Sequence, residues 1–511
     1  MQELLIIDIQ KNIDIKKKRC HVIHLSSGTI KLSDVKHIYL KSYQKKYYDY
    51  FKNILIKKLQ SKVNKINNEF LYETEVFNLR NDKELFINKL INILILKKLF
   101  IKKKIIIKII TDNYFTKKVF EKLGYKVEYY GKNKKKFNLI FLKIIKFYLK
   151  TLIVLTLLKI KKKNKLSNKF NNIYLSLYPN FYKDTEETFF NKKKDPKLNF
   201  LLADETLSNL SFLDIIFFLK KKTKYTLHAE SFIKFSDILK LILFLPTKFY
   251  KIKGSVNQQL VINNCDFSDF FQNYFQNSIV NRFKLEIYNN SLERTFKTFN
   301  NIKKFHFYMF DYHFGFYLTR ILKSKFKKLE LIGYQHGIFS DRLMWLDILK
   351  LSHHKKKHLP HKIIALNNFC LLDYKKKLNF LNIRKNKQKK SNEIIDNFKS
   401  DKSKSNILVL PGTHDVLDIY NLINNNLNKS KKSIYYFKLH PKNKFFFNEN
   451  KQIKIIKNIN RYSFSSMLIS QTSTLIYDCL INKIKFNFIS YDFRPNIVSS
   501  KIPKKYEFYL N

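Results

Sequence analysis

The chain has 511 residues and is 45% hydrophobic, enough for two or three domains with cores of their own and too apolar for a disordered protein. Its formal net charge is +59, but the excess is lysine in short runs scattered from 16–18 to 375–377, and only nine of the 99 basic residues are arginine. Nucleic-acid binders concentrate basic residues on one face and use arginine forks, so nucleic acid is disfavoured as a partner and an anionic membrane surface fits better.

Residues 1–136 read as an irregular α/β region. The run KIIIKIIT at 104–111 is a compact β-branched strand, followed by a helix over 116–123 that Gly124 ends, and by a strand over 125–130. The opening MQELLIIDIQ has no charged-then-apolar order, so no secretory signal is expected. Cys20, Cys265, Cys370 and Cys479 follow no metal-ligand spacing and read as reduced structural thiols of a cytoplasmic protein.

Residues 137–165 contain the most apolar stretch, LIFLKIIKFYLKTLIVLTLLKI at 139–160. Its length approaches that of a bilayer span, but Lys143, Lys146 and Lys150 fall on one helical face within it, and lysines at that depth are costly. Two readings remain: a helix lying in the membrane interface, peripheral on the inner face of the plasma membrane, or an inter-domain core helix.

Residues 166–392 alternate strand and helix. A strand at 198–202 ends at Asp204-Glu205-Thr206, where Asp204 is either a general base or a helix N-cap. Residues 266–298 read as helix with a periodic aromatic face. The strand at 304–309 delivers Asp311, and the strand at 329–334 delivers Gln335-His336-Gly337. His336 titrates near neutrality and suits a base or phosphate donor. Asp311 could orient it or act as base itself, and Gly337 would permit close backbone approach or positive φ. A structural histidine is the competing reading.

Residues 393–405 are polar and read as a linker. Beyond them, 406–511 has the regular pattern of a nucleotide-binding unit. A strand at 406–410 enters Pro411-Gly412-Thr413-His414, and one at 433–439 enters His440-Pro441. A third at 467–470 enters Ser470-Gln471-Thr472-Ser473-Thr474 and then a helix. Loops at strand carboxyl ends, with hydroxyls and free N–H groups at a helix start, can receive a phosphate. Taken singly, each is as well explained as a strand terminus or as N-capping by Thr472 or Ser473.

The series GYQHG, KLHP and SQTSTLIYDCL resembles the GT-B-type glycosyltransferases of surface and capsular polysaccharide synthesis. The His-Pro and Ser/Thr pair is similar to that of bacterial sialyltransferases and related Kdo-transferring enzymes that use cytidine-monophosphate sugars. The resemblance covers about 170–490. It implies an α/β GT-B-like fold, two Rossmann-like doubly wound domains facing a cleft, with the N-terminal α/β region additional. The acceptor domain would be 166–392 and the donor domain 406–511.

It also implies a metal-independent transfer of sugar from a nucleotide-activated donor to a growing surface polysaccharide or lipid-linked glycan, with no cofactor. His440, Pro441, Ser470, Thr472, Ser473, Thr474, Gly412 and Thr413 would bind the donor. Gln335 and Gly337 would line the cleft, and the base would be His336, Asp311 or Asp204. Two departures stand out: Thr206 replaces the glycine of the sialyltransferases' acidic-acidic-glycine motif, and Asp311 stands where surface-carbohydrate relatives carry glutamate. A phosphotransferase using cytidine-diphosphate polyols, and a non-catalytic basic membrane- or nucleic-acid-binding protein, are the alternatives.

Overall fold

The computed structural model describes residues 3–9, 13–26, 30–66, 73–74, 85–100, 106–131, 140–160, 170–176, 196–203, 226–256, 259–309, 313–335, 337–344, 347, 357–386, 393–412, 415–427, 433–440, 449–491 and 494–509. They form a mixed α/β protein built on three parallel sheets.

The first sheet contains β1 (Glu3–Asp8), β2 (Ile13–His24), β3 (Ile30–His37), β4 (Ile106–Thr111) and β5 (Lys126–Tyr129), in the order β3-β2-β1-β4-β5. The region expected to be an irregular α/β unit therefore holds a five-stranded parallel sheet, with a register shift between Asp14 and Lys18 in the β2–β3 ladder. Leu4 and Ile6 enter one core cluster while Leu5 and Ile7 enter another, so β1 is covered on both faces, as parallel strands require. The helix Tyr114–Lys122 is capped by Asn113 and ends at Gly124, whose φ of +82° suits glycine.

The second sheet contains β6 (Asn172–Ser176), β7 (Lys197–Asn199) and β8 (Thr226–His228). After the small antiparallel ribbon β9 (Val261–Ile262) and β10 (Cys265–Asp266), it continues with β11 (Lys304–Met309), β12 (Glu330–Gln335), β13 (Lys362–Ala365) and β14 (Asn382–Lys385). The order β14-β13-β12-β11-β6-β7-β8 reverses direction between β6 and β11. The expected single helix over 266–298 is two helices, Ser268–Lys284 and Tyr288–Thr298, joined by a 3₁₀ turn.

The helix Ile140–Ile160 packs on Ser268–Lys284, and its Ile144, Phe147, Tyr148, Val154 and Leu155 are buried. Tyr148 donates a 2.8 Å hydrogen bond to the Phe283 carbonyl. Its inner face is thus a core face. Among the described residues, no helix is long and apolar enough to cross a membrane.

The third sheet contains β15 (Asn406–Leu410), β16 (Ile434–Phe437), β17 (Ile453–Ile455), β18 (Ser466–Ile469), β19 (Phe486–Ser490) and β20 (Glu507–Tyr509). Their order β17-β16-β15-β18-β19-β20 is the 3-2-1-4-5-6 arrangement of dinucleotide-binding folds. Residues 393–405, read as a linker, carry the short helix Glu393–Asp396, and Phe398 stacks on Phe464 with centroids 6.0 Å apart.

Candidate functional site

In an open parallel sheet the ligand crevice lies outside the carboxyl ends of the strands, where the order reverses. In the third sheet that point falls between β15 and β18. The register pairs Leu410 with Ile469, so the loops beginning at Pro411 and Ser470 emerge side by side. Val409 pairs with Phe437 on the other flank, which puts His440 at the same edge, one strand away and exposed.

The two central loops meet on Asp415, a buried residue just before the helix Val416–Asn425. Its Oδ1 accepts the Gly412 N–H at 2.7 Å. Its Oδ2 accepts the Ser470 hydroxyl and, at 3.1 Å, the Tyr491 hydroxyl. Arg494 completes the cluster, its guanidinium 3.8 Å from the Tyr491 ring centroid and 3.8 and 3.7 Å from the carboxylates of Asp415 and Asp418. Burial works against the Arg494 charge, but Tyr491, Asp418 and Asp415 raise its pKa above the ordinary value. Burial, reinforced by Asp415, pushes the Tyr491 phenol well up, so it stays a donor.

Gly412 has a steric reason here. A methyl group on it would collide with Thr472 Oγ1 and lie 3.0 Å from both Asp415 Oδ1 and Ser470 Oγ. Glycine lets the β15 loop close onto the β18 loop.

Hydroxyl protons then sort the Ser/Thr cluster. Ser470 is fully buried and its single proton goes to Asp415. It therefore accepts from the Thr472 N–H at 3.2 Å and pairs with the Thr472 hydroxyl at 2.9 Å. Ser470 has no proton left for a phosphate; it positions Thr472. Ser473 Oγ accepts the Leu475 N–H at 3.3 Å. Among the described residues, the Ser473 and Thr474 hydroxyl protons are committed to no partner, and both side chains are half-exposed. The expected helix N-cap is shifted: Thr474 occupies it without a side-chain capping bond, and the helix Leu475–Ile481 has seven residues.

The second sheet presents its own carboxyl edge. Gln335, expected in the cleft wall, is buried. Its amide donates to the Gly337 carbonyl at 2.8 Å and to Cys370 Sγ at 3.1 Å, and its Oε1 accepts the Leu366 N–H at 3.0 Å. It is a clamp between the β12 and β13 loops. Burial pushes the neighbouring Cys370 thiol up to about 11, which removes it as a nucleophile near neutral pH.

Gly337 is exposed, has open space around its Cα and no positive φ, so the expected backbone need for glycine is not met there. Asp204, Asp311, His336, Thr413 and Pro441 lie outside the described residues. So do Glu205, Thr206 and His414.

The two edges adjoin. The segment 337–344, leaving β12, meets the element leaving β18: Tyr477 donates to the Phe339 carbonyl at 3.0 Å. Ser340 Oγ donates to the Ile497 carbonyl at 2.5 Å, and Asp341 accepts the Ser500 hydroxyl at 2.7 Å. Gln471 Oε1 in turn accepts the Ile497 N–H at 3.0 Å, tying the β18 loop to the same junction.

Sequence reasoning missed Asp415, Asp418, Tyr491 and Arg494. The available signal was Arg494 itself, a rare arginine in a lysine-rich chain.

Compared with protein-family models, curated proteins and solved structures, the chain matches none. The fold and the site together define an α/β protein of parallel sheets with a cluster of polar side chains at a strand-order reversal.

Proposed function

We propose that the protein is a GT-B-type glycosyltransferase, moving a sugar from a nucleotide-activated donor, a cytidine-monophosphate sugar in the first instance, to a surface polysaccharide or lipid-linked glycan. The observation that carries this reading is the Gly412–Asp415–Ser470–Thr472 cluster at the reversal point of the third sheet, adjoining the carboxyl edge of the second. In this reading Ser473 and Thr474 give hydroxyl protons to the donor phosphate. Thr472 is held by Ser470 to shape the loop, and His440 reaches the nucleotide from the neighbouring strand. Leaving-group charge is met by preorganised donors. The base that accepts the acceptor's proton is sought among His336, Asp311 and Asp204.

Thermal unfolding with a panel of nucleotides tests it. Binding to the folded state alone stabilises by about 2.7 kcal/mol at a ligand concentration about 100 times Kd. Cytidine nucleotides should raise Tm, and Ser473→Ala with Thr474→Ala, or His440→Ala, should cut the shift. If no nucleotide moves Tm, the transferase reading fails. A shift with cytidine diphosphate polyols but not with nucleotide sugars would replace it with the phosphotransferase reading.

A further inference from the structure

The helices Ile140–Ile160 and Phe235–Val256 pack against each other. Lys159 lies over the Phe235 ring at 3.9 Å. Near the other end, Phe147 lies under Lys284, and Lys248 pairs with Glu286 at 3.8 Å. The pair is therefore antiparallel. Each helix buries one side in the core and turns the other outward, and among the exposed residues are large apolar side chains. Leu142, Leu149 and Ile153 on the first are 55, 51 and 51% exposed, and Leu239, Leu243, Phe244 and Tyr250 on the second are 55, 73, 59 and 74% exposed. These seven are more than half of the 13 exposed large hydrophobic residues among the described ones, gathered on two touching helices.

The exposed charges carried by the two helices are all lysine, and Glu286, which Lys248 meets at 3.8 Å, is an acid beside them. The first helix contains no carboxylate, and Lys143, Lys146 and Lys159 are exposed along it. The second has one, Asp237, which is buried and bound by Arg294, while Lys240 and Lys248 are exposed. Outward leucines, an isoleucine and two aromatics, rimmed by lysine on helices that expose no carboxylate of their own, match the interface of an anionic bilayer: acyl chains take the ridge and headgroup phosphates take the rim. A second copy of this chain would bring the same lysine rim and the same net charge of +59, so like charges would face each other. Nucleic acid would leave the apolar ridge against water.

We infer that this helix pair is the surface on which the protein docks to an anionic membrane, lying in the interface without crossing it. The inference is independent of the transferase reading.

Flotation of the full chain with phosphatidylglycerol–phosphatidylcholine vesicles, against phosphatidylcholine alone, tests it. The protein should float with the anionic vesicles. Leu243→Ser with Phe244→Ser should lower the partition coefficient at least about tenfold with Tm unchanged, since both side chains are already in water. Leu239→Ser with Tyr250→Ser, on the same outer side, provides a second pair should the first disturb folding. Replacing Lys143 and Lys146 by Gln should cost about fivefold for each charge.

Three results would overturn the inference. One is failure of the wild type to float. Another is flotation of both serine pairs at the wild-type level, which would leave only dispersed lysine attraction. The third is a dimer in light scattering that becomes monomeric in the serine variants, which would make a second copy the occupant. Nucleotide-induced Tm shifts in the same variants report on the donor site separately.

Discussion

Asp415→Asn changes one atom in the centre of the candidate site. The carboxylate is 1% exposed and receives the Gly412 N–H on one oxygen and the Ser470 and Tyr491 hydroxyls on the other. An amide has one acceptor oxygen. Turned toward Gly412, it points N–H₂ at two hydroxyls that must rotate, which releases Ser470 from its fixed role with Thr472. Turned the other way, it leaves the Gly412 N–H facing N–H₂. Hydrogen bonds to a charged group contribute about 1.5–3 kcal/mol, and a buried group left without a partner costs about 1–3 kcal/mol. Arg494 also keeps only Asp418 as countercharge, so we expect a loss of about 2–4 kcal/mol. Urea denaturation followed by circular dichroism measures it, and the nucleotide-induced Tm shift should fall along with it. A change below about 0.5 kcal/mol, the scatter of surface substitutions, would refute the view that Asp415 organises the two loops.

Gly412→Ala places a methyl group against Thr472 Oγ1; the two loops must part, at a cost of about 1–3 kcal/mol, and unchanged stability and nucleotide response would show that the loops are not so tightly closed. Glu73 is fully buried between Arg282 and Arg320, with His358 Nε2 at 3.7 Å. Burial pushes its carboxyl up, but Arg282, His358 and Arg320 together hold it well below the ordinary range. Its contribution is therefore present above pH 4.5 and is lost as the pH falls below it, and Glu73→Gln should cost about 3–5 kcal/mol near neutrality; urea midpoints within about 1 kcal/mol of wild type would contradict this. Glu230 goes the opposite way: burial lifts its pKa despite the Leu202 N–H and the Tyr288 hydroxyl. A raised carboxyl stabilises below the unfolded value of 4.5 and loses that contribution as pH rises through the folded value, so Glu230→Gln should flatten the decline in urea midpoint above pH 4.5, and parallel pH profiles for the two proteins would count against it.

Where apolar runs are short, β-branched and bounded by turn residues, the strands were legible: 304–309 and 406–410 coincide with β11 and β15. Of the first sheet, β4 and β5 were legible at 104–111 and 125–130, but β1, β2 and β3 were not. The front of β2 reads IDIKKKR, and its lysines interrupt the alternation by which a strand is recognised. The sequence between β1 and β2 and between β2 and β3 is also too short for the crossover helix that usually signals a parallel pair, so the region looked irregular. The helix Ile140–Ile160 was legible as a helix, and Lys143 and Lys146 lie on its outward side, but its sequence could not show that Leu142, Leu149 and Ile153 are exposed beside them. Nor could it show that Phe235–Val256, nearly a hundred residues on, lies beside it.

The candidate site was half legible for a related reason. The hydroxyl run 470–474 announces itself locally, as does Gly412 after a strand. The residues that hold those loops are Asp415, Tyr491 and Arg494, and they converge from three separate segments. Composition offers the missing signal. Lysine is the default cation of this chain, so each arginine is worth inspecting for a partner that favours a guanidinium. Arg282 and Arg320 grip the buried Glu73, Arg294 binds the buried Asp237 with two nitrogens, and Arg494 sits between Asp415 and Asp418 against an aromatic ring. Four of nine arginines thus meet carboxylates that are shielded from water, where a planar fork with several fixed donors and a weakly hydrated charge outperforms a strongly hydrated point charge. In a sequence with this bias these four rare cations carry structural information out of proportion to their number, while lysines such as Lys143, Lys146 and Lys240 along the outer helix pair stay in water.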